Sequence, residues 1–222
     1  MPDKPRLLDL FCGAGGAAMG YSRAGFEVVG VDIKPQPRYP FEFIQADAMT
    51  FPLDGFDAIR ASPPCQNYSI GAARWRNAGY EYPDLIDPIR QRILSTGLPY
   101  VIENVSGAAK LLRDPIRLCG QSFGLGVVRH RYFEMNWFCL QPFHVRCAGA
   151  VTRDLLSVTG HGPPGRWYRA VTVAGHGGNT RSFKLSVWKE AMGIDWMTRD
   201  ELVESIPPTY TEYIGRRLIE VL

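Results

Sequence analysis

The chain has 222 residues, of which 45% are hydrophobic, enough for one principal core and at most a small second lobe. Its formal net charge of +3 excludes a strongly positive field over the whole surface, so contact with a polyanion requires arginines gathered on one face. No run of about 18 apolar residues and no apolar leader occur, which predicts a cytoplasmic protein without a membrane partner.

The five cysteines are odd in number and widely spread, which indicates reduced thiols and not a disulfide framework. No metal site is predicted, because the Cys and His spacings match no strong zinc signature. The set considered for zinc is Cys139, His144, Cys147 and His161.

The N-terminal residues predict a βαβ unit. Residues 6–11 form a short apolar run that ends in glycines, and residues 14–24 suit a helix packed tightly on that strand. Residues 27–32 are the next buried strand, ending in an acid. A right-handed crossover would bring a ligand to the carboxyl ends of both strands.

The later elements follow from apolar runs, alternation and proline breaks. Strands are predicted over residues 56–61, 100–104 and 129–133. Helices are predicted over residues 83–95, 185–192 and 198–204, and after Pro207-Pro208 to the end. Residues 33–43 and 71–82 are predicted to be loops. The polar ends of the early strands fall on one rim.

The chain divides into three predicted parts. Residues 1–133 form a catalytic and cofactor-binding core, and residues 185–222 complete it with C-terminal helices. Residues 134–184 are irregular and rich in glycine, tryptophan, histidine and arginine, which indicates a small lobe or long loops.

The glycine turn at residues 13–16 is weak evidence for a ligand site when taken alone, because such turns are common. Asp32 strengthens it, since an acid at the end of the second strand can accept hydrogen bonds from both ribose hydroxyls. A phosphate-binding Lys-Ser or Lys-Thr pair is absent, which favours a nucleoside without phosphates. Asp47 suits an adenine amine or, equally, a turn or helix cap.

Cys65 follows two prolines, which fix the backbone and present the thiol at the rim. A buried, inert cysteine is the alternative. Arg129 and Arg131 would favour the thiolate, and Glu103 at the end of an apolar strand can donate or share a proton. A soft nucleophile beside a proton donor suits conjugate addition to a cytosine ring.

With these motifs in order, the chain resembles the DNA cytosine-5 methyltransferases. The similarity covers Asp9 to Gly16, Pro63-Pro64-Cys65-Gln66 with Tyr68-Ser69, Glu103-Asn104-Val105, Arg129-His130-Arg131, and Ser205-Ile206-Pro207-Pro208 with Ile214-Gly215. It extends over about residues 1–133 and 185–222. The resemblance implies an α/β, Rossmann-like methyltransferase fold with a mostly parallel seven-stranded sheet flanked by helices.

The resemblance also implies roles. Cys65 would add to C6 of a flipped cytosine in double-stranded DNA, Glu103 would bind N3 and the 4-amino group, Arg131 would contact O2 and Arg129 would orient the loop. S-adenosylmethionine would bind at Phe11, Gly13, Gly15, Asp32, Ile33, Asp47, Pro63, Ser205 and Ile206. No obligate protein partner is implied. Small forms of this kind resemble phage-encoded members, which implies evasion of host restriction by methylation.

The segment available for target recognition is short. Only 53 residues separate Arg131 from Leu185, where the family usually carries a substantial recognition domain. DNA-binding candidates are polar, cationic or aromatic side chains that suit groove and phosphate contacts. They are Gln66, Ser69, Arg74, Trp75, Arg76, Arg166, Arg169, His176, Asn179 and Arg181. A merely exposed loop is the alternative for this set.

Three departures from the family pattern affect these expectations. Val127 stands where a glutamine is usual, Val203-Glu204 replaces a Gly-Asn pair, and Ile33 replaces a frequent aromatic residue. Two other functions stay open from the sequence: methylation of RNA or free nucleotides, and a catalytically silent nucleic-acid-binding homologue.

Overall fold

A computed structural model of the chain describes residues 4–69, 72–144 and 184–222. Several residues considered for zinc or DNA contact lie outside these ranges, together with most of the predicted 134–184 lobe. They are Cys147, His161, Arg166, Arg169, His176, Asn179 and Arg181.

The described residues form a seven-stranded, mostly parallel sheet, which confirms the predicted fold class. Its strands are β1 (Arg6–Leu10), β2 (Glu27–Asp32), β3 (Glu42–Gln45), β4 (Ala58–Ala61), β5 (Tyr100–Asn104), β6 (Ile116–Leu118) and β7 (Arg131–Met135). The strand order is β3-β2-β1-β4-β5-β7-β6. Strands β1 to β5 pair in parallel, and β7 runs antiparallel to both β5 and β6.

Helices cover both faces of the sheet. They are α1 (Gly16–Ala24), α2 (Ala73–Asn77), α3 (Ile86–Leu94), α4 (Leu185–Met192), α5 (Arg199–Glu204) and α6 (Pro208–Leu218). One core joins α1 and α6 through Tyr21, Tyr210 and Ile214, and the opposite core joins α3 to the sheet through Ile86 and Ile89. None of the helices within the described residues has the length and apolar character needed to span a bilayer.

The C-terminal helix packs very closely on the first helix. A Cβ built on Gly20 would lie 2.1 Å from the carbonyl oxygen of Pro208 and from Oγ1 of Thr211, so only glycine fits there. The Thr211 hydroxyl also donates a 2.8 Å hydrogen bond to the carbonyl of Ala17. The two ends of the described chain therefore build one layer.

A third core lies beside the glycine turn and is formed by α4, α5 and the segment between them. Trp188, Met192 and Leu202 are buried in it. The indole of Trp196 donates a 2.9 Å hydrogen bond to the carbonyl of Ala14, which ties this core to the turn.

The structure differs from the sequence prediction in the least buried elements. The predicted loop over residues 33–43 overlaps the first two residues of β3, a half-exposed edge strand that follows a proline-rich segment. Neither β3 nor the three-residue β6 is predicted from the sequence. Helix α2 lies in the predicted 71–82 loop and has no buried residue, so it leaves no apolar periodicity. Strand β7 begins at Arg131, two residues later than predicted.

Candidate active site

Three of the predicted catalytic residues meet where β4, β5 and β7 lie side by side. Glu103 is in β5 and only 3% exposed, and Arg131 opens the antiparallel neighbour β7. Nε of Arg131 lies 3.1 Å from Oε1 of Glu103. The ion pair points a carboxylate and a guanidinium toward the same rim, at which Cys65 follows β4.

The second oxygen of Glu103 is held from β4. It accepts a hydrogen bond from the hydroxyl of Ser62 and lies 3.6 Å from Nη2 of Arg60. Cations and a hydroxyl donor on both oxygens stabilise a buried carboxylate, which burial alone would disfavour. Glu103 is therefore oriented before any substrate binds.

Arg60 is a buried cation that belongs to none of the motifs described above. Its side chain is 2% exposed, and Nη1 lies 2.6 Å from Oδ1 of the fully buried Asp9. Burial raises the pKa of Asp9, and the Arg60 charge opposes that rise. The sequence contains one signal for this pair, which is two opposite charges inside two apolar strands. The register of β1 and β4 places Asp9 opposite Arg60 and so makes the two side chains neighbours.

The loop that carries Cys65 is fastened at both sides. Nδ2 of Asn104 donates a 2.9 Å hydrogen bond to the carbonyl of the buried Pro63. The backbone amides of Tyr68 and Ser69 donate to the Cys65 carbonyl at 2.9 and 2.8 Å. These contacts couple the Glu103-Asn104 motif to the Pro-Pro-Cys motif through a single side chain.

Arg76 stabilises the same loop from its far side. Nη1 donates to the carbonyls of Gln66 and Ser69 at 2.6 and 2.8 Å. This half-buried guanidinium, predicted to bind phosphate, is thus engaged by the loop backbone. Ser69 Oγ accepts a 3.3 Å hydrogen bond from the Ala72 amide.

Arg74 and Trp75 lie on the exposed side of α2. The Arg74 guanidinium lies 4.3 Å from the Trp75 ring centroid, and Tyr80 contacts that ring edge-on at 5.5 Å. Trp75 is 39% exposed. Among the members of the predicted DNA-binding set that the structure describes, this cation and aromatic surface next to the Cys65 loop is the exposed part.

Burial raises the pKa of the half-buried Cys65 thiol, although the Arg131 and Arg129 charges act to lower it. The negative charges of Glu103 and Glu204 add to the rise. The two arginines therefore act in the predicted direction, but burial outweighs them. The raised pKa favours the thiol over the thiolate in the free protein.

Arg129 is 4% exposed and precedes β7. Burial and the neighbouring Arg131 lower its pKa to about 9. Nη2 donates to the carbonyl of Val203 at 2.6 Å, while its own carbonyl accepts from the Tyr210 hydroxyl at 2.7 Å. Arg129 thus joins the start of β7 to α5 and α6.

The glycine turn lies one strand away, at the ends of β1 and β2. Phe11, Gly13 and Gly15 all have positive φ, of 55°, 51° and 84°. Glycine adopts this conformation freely, whereas Phe11 is strained, a feature that clusters at ligand sites. A Cβ on Gly13 would meet nothing within 4 Å, so the turn is open toward solvent there.

Asp32 braces this turn. Its two oxygens accept 3.0 Å hydrogen bonds from the amides of Gly13 and Lys34. A carboxylate has about four acceptor positions, so capacity for two hydroxyl donors remains. The next residue, Ile33, is 65% exposed beside it.

The remaining predicted cofactor residues lie on two sides of the turn. Asp47 is exposed and its Oδ1 accepts a 2.8 Å hydrogen bond from the Met49 amide, as the turn interpretation predicts. Ser205 and Ile206 press against the start of α1, where a Cβ on Gly16 would lie 2.0 Å from Ser205 Oγ. The C-terminal motif therefore closes the back of the glycine turn.

Comparison with known proteins agrees with this geometry. The family model described as C-5 cytosine-specific DNA methylase matches residues 6–110, which include the glycine turn, Cys65 and Glu103. No curated protein sequence matches the chain.

Three solved structures share the fold. A protein of an E. coli prophage, described as a DNA modification methyltransferase, has 17% identity and a TM-score of 0.62, covering 97% of this chain and 99% of its own. The Dnmt2 methyltransferase of S. pombe has 16% identity and a TM-score of 0.60, covering 98% and 99%. The methyltransferase EhMeth of Entamoeba histolytica has 13% identity and a TM-score of 0.59, covering 99% of both chains. The family match over residues 6–110 therefore shows that this part of the chain is similar to the C-5 cytosine-specific DNA methylases, and the solved structures show a shared methyltransferase fold.

Proposed function

We propose that the protein transfers a methyl group from S-adenosylmethionine to C5 of a cytosine in double-stranded DNA. The observation that carries the proposal is the Glu103–Arg131 ion pair, 3.1 Å long, beside the rigidly fastened Cys65 loop. A nucleophile, a hydrogen-bonding acid and a cation on one rim are the groups that addition to a pyrimidine ring needs.

The glycine turn fits the cofactor. It offers an open surface at Gly13 and, in Asp32, an acid with acceptor capacity for a ribose. Asp47 and Ile33 are exposed and would face the adenine, Phe11 and Pro63 would line the two sides, and Ser205 and Ile206 would support the turn. S-adenosylmethionine supplies an electrophilic methyl group on a sulfonium when it is bound there.

The chemistry begins at Cys65. Its Sγ, once deprotonated, adds to C6 of the cytosine, and the electron pair of the C5–C6 bond moves into the ring toward N3. Glu103 would hold N3 and the 4-amino group, which stabilises the ring as its charge changes. C5 would then take the methyl group as its bond to the sulfonium sulfur breaks, which leaves a neutral thioether. Loss of the C5 proton to solvent would then let the C6–S bond break and return the Cys65 thiolate.

Arg131 and Arg129 would have different roles, one in substrate contact and one in positioning. Arg131 would contact the cytosine O2, because its guanidinium is already paired with Glu103 at the rim. Arg129 is buried and bonded to Val203, so it would act by positioning the catalytic edge. Removing a preorganised charge of the Arg131 kind costs about 3 to 4 kcal/mol of activation free energy in comparable sites.

The surface of Arg74, Trp75, Gln66 and Ser69 would contact DNA next to the flipped base. Arg74 would bind a phosphate, and Trp75 is a candidate to fill the vacated stack. The other predicted DNA contacts, at Arg166, Arg169, His176, Asn179 and Arg181, belong to the same proposal. Methylation by a phage-encoded enzyme to evade host restriction is its biological setting.

The test is trapping on 5-fluorocytosine. Fluorine at C5 cannot leave as a proton does, so the Cys65–C6 adduct persists after methyl transfer. A covalent complex with duplex DNA that requires S-adenosylmethionine and is lost in Cys65→Ser is the expected result. Cys139→Ser, another free cysteine, is the matched control and should still form the complex.

An adduct that forms only on RNA would reassign the substrate to RNA. No adduct on DNA, RNA or nucleotides, from a protein that still binds DNA, would make the chain a silent homologue. Either result overturns the proposal.

A further inference from the structure

Away from the rim, a second group of reactive side chains comes together at the edge of the sheet. Among residues 4–69, 72–144 and 184–222, one trio of potential metal ligands converges, Cys119, His130 and His144, with ligand atoms all within 4.8 Å of one another. Cys119 is fully buried and both imidazoles are half-buried. The trio plays no part in the methyl-transfer chemistry described above.

Strand pairing explains why Cys119 meets His130. Strands β6 and β7 are antiparallel with Leu118 opposite Arg131, so the next step along each strand brings Cys119 opposite His130. The chain then turns back along β6 after β7. The Arg117 amide donates a 2.8 Å hydrogen bond to Oε1 of Gln141, which brings His144 alongside.

The spacing of the two imidazoles, which share a long hydrogen bond, also fits a shared metal ion. Nε2 of His130 lies 3.4 Å from Nε2 of His144. This is longer than the usual hydrogen-bond range of about 2.7 to 3.2 Å. It equals the edge of a tetrahedron around zinc, since Zn–N bonds of about 2.0 to 2.1 Å give an N–N edge of about 3.3 to 3.4 Å.

We propose that Cys119, His130 and His144 bind a zinc ion, with a water molecule in the fourth position. One thiolate and two imidazoles form a borderline-soft donor set of the kind that selects zinc. The ion would join β6, β7 and residues 141–144 at a sheet edge. It would also fix His130, which lies between Arg129 and Arg131, and so hold both arginines in place.

One neighbouring cation opposes the site. Nη2 of Arg117 lies 3.1 Å from Nδ1 of His144, and a guanidinium can only donate. Zinc bound at Nε2 requires the proton on Nδ1, so Arg117 must turn away when the metal binds. Replacing Arg117 by glutamine removes the charge and offers an oxygen that can accept from Nδ1–H.

The experiment uses the full chain expressed with zinc and freed of adventitious metal by dialysis. Elemental analysis should find zinc equimolar with the protein, lost in Cys119→Ser, His130→Ala and His144→Ala. Cys139→Ser, a buried cysteine outside the trio, should keep it. Cobalt substitution should give the thiolate charge-transfer band and the visible bands of tetrahedral Co²⁺. Arg117→Gln should bind zinc about 10-fold more tightly, the size typical of such outer contacts.

Protein free of zinc after zinc-supplemented expression, with no cobalt spectrum on titration, would overturn the proposal. So would equal zinc content in all variants. Cys119 is buried, and Cys119→Ser could fail to fold. In that case the variants of the two half-buried histidines and Arg117→Gln still test whether the zinc site exists. None of these readouts requires methyl transfer, so the zinc site and the proposed activity stand or fall separately.

Discussion

Replacing Arg60 by methionine leaves two buried carboxylates without their shared cation. Asp9 is 0% and Glu103 3% exposed, and Arg60 lies 2.6 Å from the first and 3.6 Å from the second. Methionine keeps the apolar volume, so the loss is electrostatic. Breaking a buried pair by removing one partner costs about 3 to 5 kcal/mol. At about 2 to 4 °C per kcal/mol for a chain of this size, Tm should fall by about 6 to 20 °C.

The stability lost in Arg60→Met depends on pH in a direction that follows from the Asp9 pKa. Burial raises the pKa of Asp9 in the folded protein, so the folded state keeps a proton that the unfolded chain has already lost. Removing Arg60 enlarges that rise, because the charge that opposed it is gone. The stability lost in Arg60→Met should therefore be greatest at neutral pH and shrink as pH falls.

Urea unfolding followed by circular dichroism at neutral and acidic pH measures both effects. Arg216→Met is the matched control, because Arg216 makes a 2.7 Å pair with Glu212 but is 65% exposed. Such a pair contributes about 0.3 to 0.5 kcal/mol. If Arg60→Met costs no more than Arg216→Met, or if its cost grows on acidification, the buried network does not stabilise the sheet in this way.

Three further predictions concern packing and positioning. Asn104→Ala should lower kcat with little change in the KM for S-adenosylmethionine, because Pro63 loses its 2.9 Å anchor; unchanged single-turnover rates would contradict this. Gly20→Ala should cost about 1 to 3 kcal/mol or more in thermal unfolding, since its Cβ would overlap α6 at 2.1 Å; a wild-type Tm would show that the helices can separate freely. Thr198→Ala removes the capping box of α5 and should cost about 1 kcal/mol of unfolding free energy, whereas Thr198→Ser should retain most of it.

The elements that the sequence predicted well are those whose burial leaves a pattern. Strand β2 and helix α4 have the predicted bounds, because apolar runs and punctuating glycines mark both. Strand β3 and helix α2 were missed, since they bury little and are stabilised by neighbours distant in sequence. Tertiary pairing decides such elements, and local propensity does not.

The same distinction separates the parts of the site. Cys65, Glu103 and Arg131 lie within motifs and could be chosen from order alone. Arg60 required the register between β1 and β4. The histidine and cysteine trio required the pairing of β6 with β7, because separations of 11 and 14 residues match no local metal signature. Contacts that depend on strand pairing cannot be predicted from the order of residues along the chain.

The contact between the C-terminal segment and the glycine turn bears on biosynthesis. Ser205 and Ile206 pack against Gly16, and Thr211 bonds to Ala17, so the N-terminal turn gains its support from residues translated nearly two hundred positions later. On the ribosome, the first βαβ unit must wait with one face of α1 uncovered until α6 emerges. The glycine turn, at which the proposed cofactor would bind, is therefore fully supported only after residues 205–211 have been synthesised.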